Sequence, residues 1–256
     1  MDAIKNAKAP LESQIGSAPS LVEDTEEIFW LRQADDYRSR FSLGNALAAQ
    51  YRFKEAAAAY ENALRIRQDD WKLWYSLGGA YLTIREFKKA MAAYVRCARL
   101  GAKEQTVAYP LGVAHYLQHE YSSAAQWFKK ALPCGDEMAI AVIYWHTLSA
   151  FRAGQEPELL SDYHEGMKVG HHTAYMSAVR VFCGEISRDE GISQTEREKD
   201  DLNYVIAVYG ICGYLEHIGE KAERAKYMEE VLKRGSIWPC ISYLAAWNDC
   251  FGAEEK

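Results

Sequence analysis

Along most of the chain, apolar residues recur at the three-to-four-residue spacing of amphipathic helices, with glycines punctuating the stretches. Ser20 with Glu23 forms a capping box, which predicts a helix running through Ile28, Phe29 and Leu31. Beyond it the pattern repeats at a step of 34 residues. Ser42-Leu43-Gly44-Asn45-Ala46 returns as Ser76-Leu77-Gly78-Gly79-Ala80 and as Pro110-Leu111-Gly112-Val113-Ala114. Ala56, Ala90 and Ala124 keep the same register, as do Tyr60, Tyr94 and Phe128, and Phe53, Phe87 and Tyr121. The series predict three helical hairpins, at about 37–70, 71–104 and 105–138.

A glycine inside a helix costs about 1 kcal/mol relative to alanine. Three in one register, Gly44, Gly78 and Gly112, are therefore read as close helix contacts. The later alanines are expected against the neighbouring helix, and the aromatics four residues on are expected to fill the layer between units. After about 138 the period fades, but helix signals continue through 139–256. Predicted helices are Met138–Ala153 ended by Gly154, Pro157–Val169 stopped by Gly170, and His172–Cys183 ended by Gly184. Ser187 with Glu190 and Ser193 with Glu196 are two further capping boxes. Asp200–Ile218 and Glu220–Arg234 form a hairpin around Gly219. A last helix, Trp238–Phe251, has Pro239 near its first turn and covers the open end of the stack.

The Leu-Gly pairs, the alanines at 56, 90 and 124 and the aromatics that follow them resemble the tetratricopeptide repeat family over roughly residues 37–138. Trp74 stands where that family often has Trp; Arg40 and Ala108 stand there in the other two units. Gln68, Ala102 and Asp136 occupy the place of its closing proline. The resemblance implies an all-α right-handed superhelical solenoid of helical hairpins with capping helices at both ends. Its expected function is a non-catalytic scaffold or adaptor that binds a peptide or protein segment in a concave groove. The second half, through Tyr144-Trp145, Phe182–Ser187 and Tyr209–Gly219, is weakly similar to NlpI-type bacterial repeat proteins, which are lipid-anchored envelope adaptors. The stretch Gly101–Leu117 is similar to the repeat chaperones of type III secretion, which hold an extended segment of a secreted protein. A chaperone for a secreted protein is accordingly one alternative. An enzyme or enzyme subunit with a site in 139–200, drawing on His146, Tyr163, His164 and His171, is the other.

Composition narrows the partners. A hydrophobic content of 49% suffices for a core, and the 17 Tyr, aromatics of the kind that fill space between layers of helical repeats, also suit a binding face where in surplus. The net charge of −6 is spread along the chain and argues against a nucleic-acid partner. No apolar run has the length of a membrane span, so no membrane insertion is expected. Residues 1–20 are small, polar and proline-containing, and are expected to be a flexible tail rather than a secretory signal. Six cysteines (Cys97, Cys134, Cys183, Cys212, Cys240 and Cys250) show no C-x-x-C pair and are expected to be buried, reduced thiols of a cytoplasmic protein.

The groove of such a solenoid is lined by the first helix of each unit. That places Phe41, Tyr75 and Tyr109 inward as an aromatic ladder, with Asn45, Gly79, Val113, Ala48, Leu82 and Tyr116 further along and Arg38 and Lys72 near the edge. The alternative is that these rings are core, or are covered by the chain's own tail. Of the Lys, Asn and Arg set with which some tetratricopeptide domains clamp a C-terminal carboxylate, only Asn45 is present; Phe41, Ser76, Thr106 and Pro110 fill the other places. His164, His171 and His172, with Asp162 and Glu165, are read as solvated loop residues, and His146 as a hydrogen-bonded core histidine. No catalytic residue, metal site or cofactor is expected. The helix ahead of the first repeat is expected to cap the stack or to mediate a homodimer.

Overall fold

The computed structural model describes residues 23–132 and 134–252. The expected tail and the capping residue Ser20 lie outside them. The described residues form thirteen α-helices and two short 3₁₀ turns, with no strand, and consecutive helices pack on one another as the periodicity predicts. The chain divides into two compact units, one running to Ala114 and the other from His115.

In the first unit, α1 (Glu26–Gln33) precedes α2 (Tyr37–Ala49), α3 (Phe53–Ile66), α4 (Trp71–Thr83) and α5 (Phe87–Arg99). The first helix begins later than the Ser20 capping box predicts. Thr25 caps it, its Oγ1 accepting from the Ile28 amide at 3.3 Å. Arg32 and the buried Arg52 clamp the entry to α1 by sharing Asp24 and Glu55. Asp36 and Asp70 cap α2 and α4 at equivalent repeat positions.

Inside each hairpin the packing turns on one contact. The Tyr60 ring lies against Gly44, and the Tyr94 ring against Gly78. A Cβ on Gly78 would stand 2.7 Å from Tyr94 Cε1. The repeated aromatic thus fills the gap within a hairpin, over its glycine, and not the layer between units that was expected. Tyr51 and Arg85 make the tight turns of the two hairpins with φ of 62° and 66°.

The second unit begins with the end of α6 (Glu104–Leu117) and continues through α7 (Tyr121–Ala131), α8 (Asp136–Ala153), α9 (Thr173–Phe182), α10 (Arg188–Glu198), α11 (Asp201–His217), α12 (Lys221–Leu232) and α13 (Ile241–Phe251). Helices α8 and α11 are apolar nearly all round and run through its core. Here too a ring lies on a glycine: Tyr144 packs on Gly210 and donates to the Ile206 carbonyl at 2.7 Å.

Some predicted boundaries shift. Pro157–Val169 is only a 3₁₀ turn (Glu158–Asp162) followed by irregular chain. Tyr163, His164 and above all Gly166 are weaker helix formers than Glu165 between them, and burial of Met167 and Val169 ties the segment down instead. Ser187 caps α10 as expected, accepting from the Glu190 amide, whereas Ser193 lies inside that helix and starts nothing. Pro239 precedes the cap of α13 at Cys240. All six cysteines are unpaired; Cys97 and Cys212 are buried, whereas Cys134 and Cys183 are exposed, contrary to expectation.

A buried ion pair fastens α13. Arg152 on α8 meets Asp249 through Nη1 at 2.9 Å and Nη2 at 2.5 Å. The rings of Tyr116, Tyr121 and Tyr209 surround the guanidinium, and the Tyr209 hydroxyl donates to Asp249 at 3.1 Å. Desolvation is the largest single influence and works against the charge on Arg152, but the Asp249 carboxylate together with Tyr116 and Tyr209 outweighs it and holds the pKa well above its usual value. Asn248 beside it donates to the Leu117 carbonyl at 2.6 Å.

Two outcomes follow for stability. Gly78→Ala should destabilise by about 1–2 kcal/mol despite alanine's helix preference, because the methyl displaces the Tyr94 ring. Gly79→Ala is the control: its Cβ would meet only the Tyr94 hydroxyl, at 3.9 Å, so it should be neutral or stabilising by up to about 1 kcal/mol. Urea unfolding of both variants decides. Asp249→Ala should cost about 3–5 kcal/mol by leaving the buried Arg152 with only the more distant Glu216 carboxylate, 3.3 Å from Nη2, whereas the pair Arg152→Met/Asp249→Leu should lose much less. Thermal unfolding of the single and double variants reads the difference.

Candidate binding surfaces

The aromatic ladder rests on the ring-over-glycine contacts. Phe41 lies edge-on to Tyr60 with centroids 5.8 Å apart, and Tyr75 edge-on to Tyr94 at 5.6 Å. Each outer ring covers a buried one, and Phe41 also meets the Tyr37 ring at 6.3 Å. Phe41 and Tyr109 are half-buried, and Tyr75 is 37% exposed. Burial raises the Tyr75 pKa above its ordinary value. Asn45 is exposed and accepts from the Tyr60 hydroxyl at 2.8 Å. Arg38 and Lys72 are exposed, the Lys72 ammonium 5.9 Å from the Trp71 ring.

Three of the expected groove residues are not at a surface, Val113 on α6 being fully buried. Leu82 is buried in the first unit. Tyr116 is fully buried in the second, its ring 5.0 Å from Trp145 and its hydroxyl 2.9 Å from that of Tyr209. The 34-residue step extrapolates a groove position onto the end of α6, but there the helix enters the polar core around Arg152.

On another side of α4 is a concavity that the ladder does not share. Trp74, Leu77 and Tyr81, at helical spacing, form the α4 side of a pocket of about 460 Å³. Leu64 and Glu61 of α3 close one side, and Ala92, Ala93 and Val95 of α5 the other. Lys89, Arg96 and Arg99 surround it. The Glu61 carboxylate accepts from Tyr81, and the Lys89 ammonium stands 5.5 Å over the Tyr81 ring. Arg96 and Arg99 are exposed and make no ion pair among the described residues. The surface is therefore apolar below and basic at the edge. Sequence reading did not single it out; the available signal was Val95, an apolar residue next to Arg96 and one turn from Arg99, which the structure leaves 41% exposed.

The second unit holds a smaller, mixed pocket of about 410 Å³ between α10, α11 and α12, lined by Asp189, Glu196, Glu230, Tyr204, Lys226 and Arg234 among others. The Arg234 guanidinium stacks 3.5 Å over the Tyr204 ring. His146 is buried as expected, but its Nδ1 lacks the expected hydrogen-bond partner; burial pulls its pKa down to about 4. His164 stays apart on an exposed loop. His171 and His172 converge instead on Glu137 at the start of α8, a residue that sequence reading left out.

A family model described as "Tetratricopeptide repeat" matches residues 41–105. Among curated proteins none matches the chain. Two solved structures are distantly similar. One is YrrB, a TPR protein with an unusual peptide-binding site, at 14% identity and a TM-score of 0.48, covering 91% of this chain and 99% of that one. The other is Naa15/Naa10 bound to HypK-THB, at 16% identity and a TM-score of 0.39, covering 91% of this chain and 36% of that one. The match to that family model thus spans the helix pairs from within α2 to the start of α6.

Proposed function

We propose that this chain is a non-catalytic interaction module whose repeat unit takes a segment of a protein partner. The observation that carries this reading is the pocket of about 460 Å³ over Trp74 and Leu77, open to solvent and edged by Lys89, Arg96 and Arg99. An apolar surface beside Arg96 and Arg99, which make no ion pair among the described residues, suits an apolar side chain flanked by acidic ones. Trp74 is the expected anchor contact, since a large ring supplies most of the area a side chain can bury against.

The ladder of Phe41, Tyr75 and Tyr109, with Asn45, Arg38 and Lys72, is a second reading. It is favoured by the exposure of Tyr75, a large ring held in place by Tyr94 yet open on one side. A chaperone that shields part of a secreted protein is the narrower form of either reading. Catalysis in 139–200 finds less support. His146 makes no side-chain hydrogen bond among the described residues, and Tyr163 donates to Glu185 at the surface. We also place the protein in the cytoplasm, supported by its six unpaired cysteines, and no described helix is long and apolar enough to cross a membrane. A homodimer through α1 draws support from Phe29 and Trp30, which are 52% and 62% exposed.

Affinity capture from lysate with the wild type and two variants separates the surfaces. Arg96→Glu/Arg99→Glu should lose the partner and leave the melting temperature unchanged, and the wild-type complex should weaken with salt. Retention by the charge reversal together with loss in Tyr75→Ala would transfer the site to the ladder. Tyr75→Ala itself should cost clearly less than the roughly 3–5 kcal/mol of a core aromatic truncation, measured by thermal unfolding. If α1 joins two copies, Trp30→Ser should sediment as a monomer at concentrations where the wild type is a dimer.

A further inference from the structure

Glu137 opens α8, and His171 and His172 lie at the turn before α9. More than thirty residues separate them in sequence, yet their ligand-type atoms all lie within 4.8 Å of one another. The Glu137 Oε1 stands 2.9 Å from His171 Nδ1 and 3.7 Å from His172 Nδ1. A tetrahedral metal ion held at about 2.0–2.2 Å by nitrogen and oxygen sets its donors roughly 3.3–3.6 Å apart. The two distances straddle that value, so small side-chain rotations reach it.

Three features of the surroundings fit a ligand set. His172 Nδ1 is buried and has no hydrogen-bond partner, an acceptor or donor left unused at the centre of the cluster. Gly170 adopts a φ of +53° and has the Glu137 carboxylate where its Cβ would be, 2.6 Å from Oε1. The turn thus seats the carboxylate above the two imidazoles only because residue 170 has no side chain. Access is open on one side, the His171 side chain being 83% exposed while that of His172 is 18% exposed.

We propose that Glu137, His171 and His172 bind one divalent transition-metal ion of the zinc class. Two imidazoles and one carboxylate favour such an ion over magnesium or calcium, which prefer all-oxygen sets. Three protein donors leave a fourth position for water or for a donor from a partner. The interaction reading above does not depend on this site.

The test is calorimetric titration of the full chain, stripped by chelator, with ZnCl₂, in a background where the exposed Cys134 and Cys183 are Ser. One equivalent should bind, with a Kd of about a micromolar or tighter. Glu137→Gln and His171→Ala should each weaken it by at least about tenfold. Both positions are exposed, so the metal-free melting temperature should stay at its starting value, and Zn²⁺ should raise it only where the three residues are intact. Visible spectra with Co²⁺ should show nitrogen and oxygen ligation. Absence of stoichiometric binding, equal binding by the two variants, or a thiolate-type cobalt spectrum would each overturn the proposal.

Discussion

The contact on which both units depend is an aromatic ring laid on a helix glycine. A helix pair can approach closely only where one partner has no side chain, and the space gained must then be filled without leaving a void. Tyr60 on Gly44, Tyr94 on Gly78 and Tyr144 on Gly210 are three solutions of that one problem. Each ring contributes the burial of a large apolar surface, which more than offsets the modest helix penalty of the glycine beneath it. In the repeat unit the contact also fixes what is presented to solvent. Phe41 and Tyr75 have a rigid ring behind them, so their outward faces are held in place.

The second unit adds a polar core to the apolar one. Taking Arg152 and Asp249 out of water is costly, and the geometry recovers it through two guanidinium–carboxylate hydrogen bonds, a tyrosine hydroxyl and three flanking rings. A pair of this kind specifies an arrangement more than it adds stability. An apolar helix such as α13 could slide along α8 and α11 at little cost, whereas Asp249 meets Arg152 in only one register. The neighbouring bond from Asn248 to the Leu117 carbonyl works in the same sense.

For function, the contrast within α4 matters. One stripe, Lys72 and Tyr75, gives a ladder of half-covered rings; another, Trp74, Leu77 and Tyr81, gives one side of a pocket with basic residues at its edge. Rings half-covered by other rings offer area with little freedom to adapt. A pocket with unpaired arginines offers both a cavity and a field. That combination is what the proposal of a partner segment with apolar and acidic side chains rests on.

The helical class and the repeat were legible in the sequence, because apolar spacing and small residues at one register have few structural explanations. Asp36, Asp70, Ser187 and Asp200 mark helix starts by local chemistry alone, each side chain accepting from the amides just ahead of it. Local pattern failed where tertiary contacts set the outcome: Met167 and Val169 are buried without a helix, and Tyr116 leaves the groove pattern for the core around Arg152. The left-handed turn residues, Tyr51 and Arg85, follow the repeat step, yet nothing in their chemistry announces them. Sequence by itself thus determined which stretches of the repeat are helical and where glycine was required, since both depend on neighbours within a few residues or on an exact repeat. Only the tertiary structure decided which rings face solvent, that Glu137 meets His171 and His172, and that Arg152 finds Asp249, because each joins residues distant along the chain whose approach is set by packing rather than by any local preference.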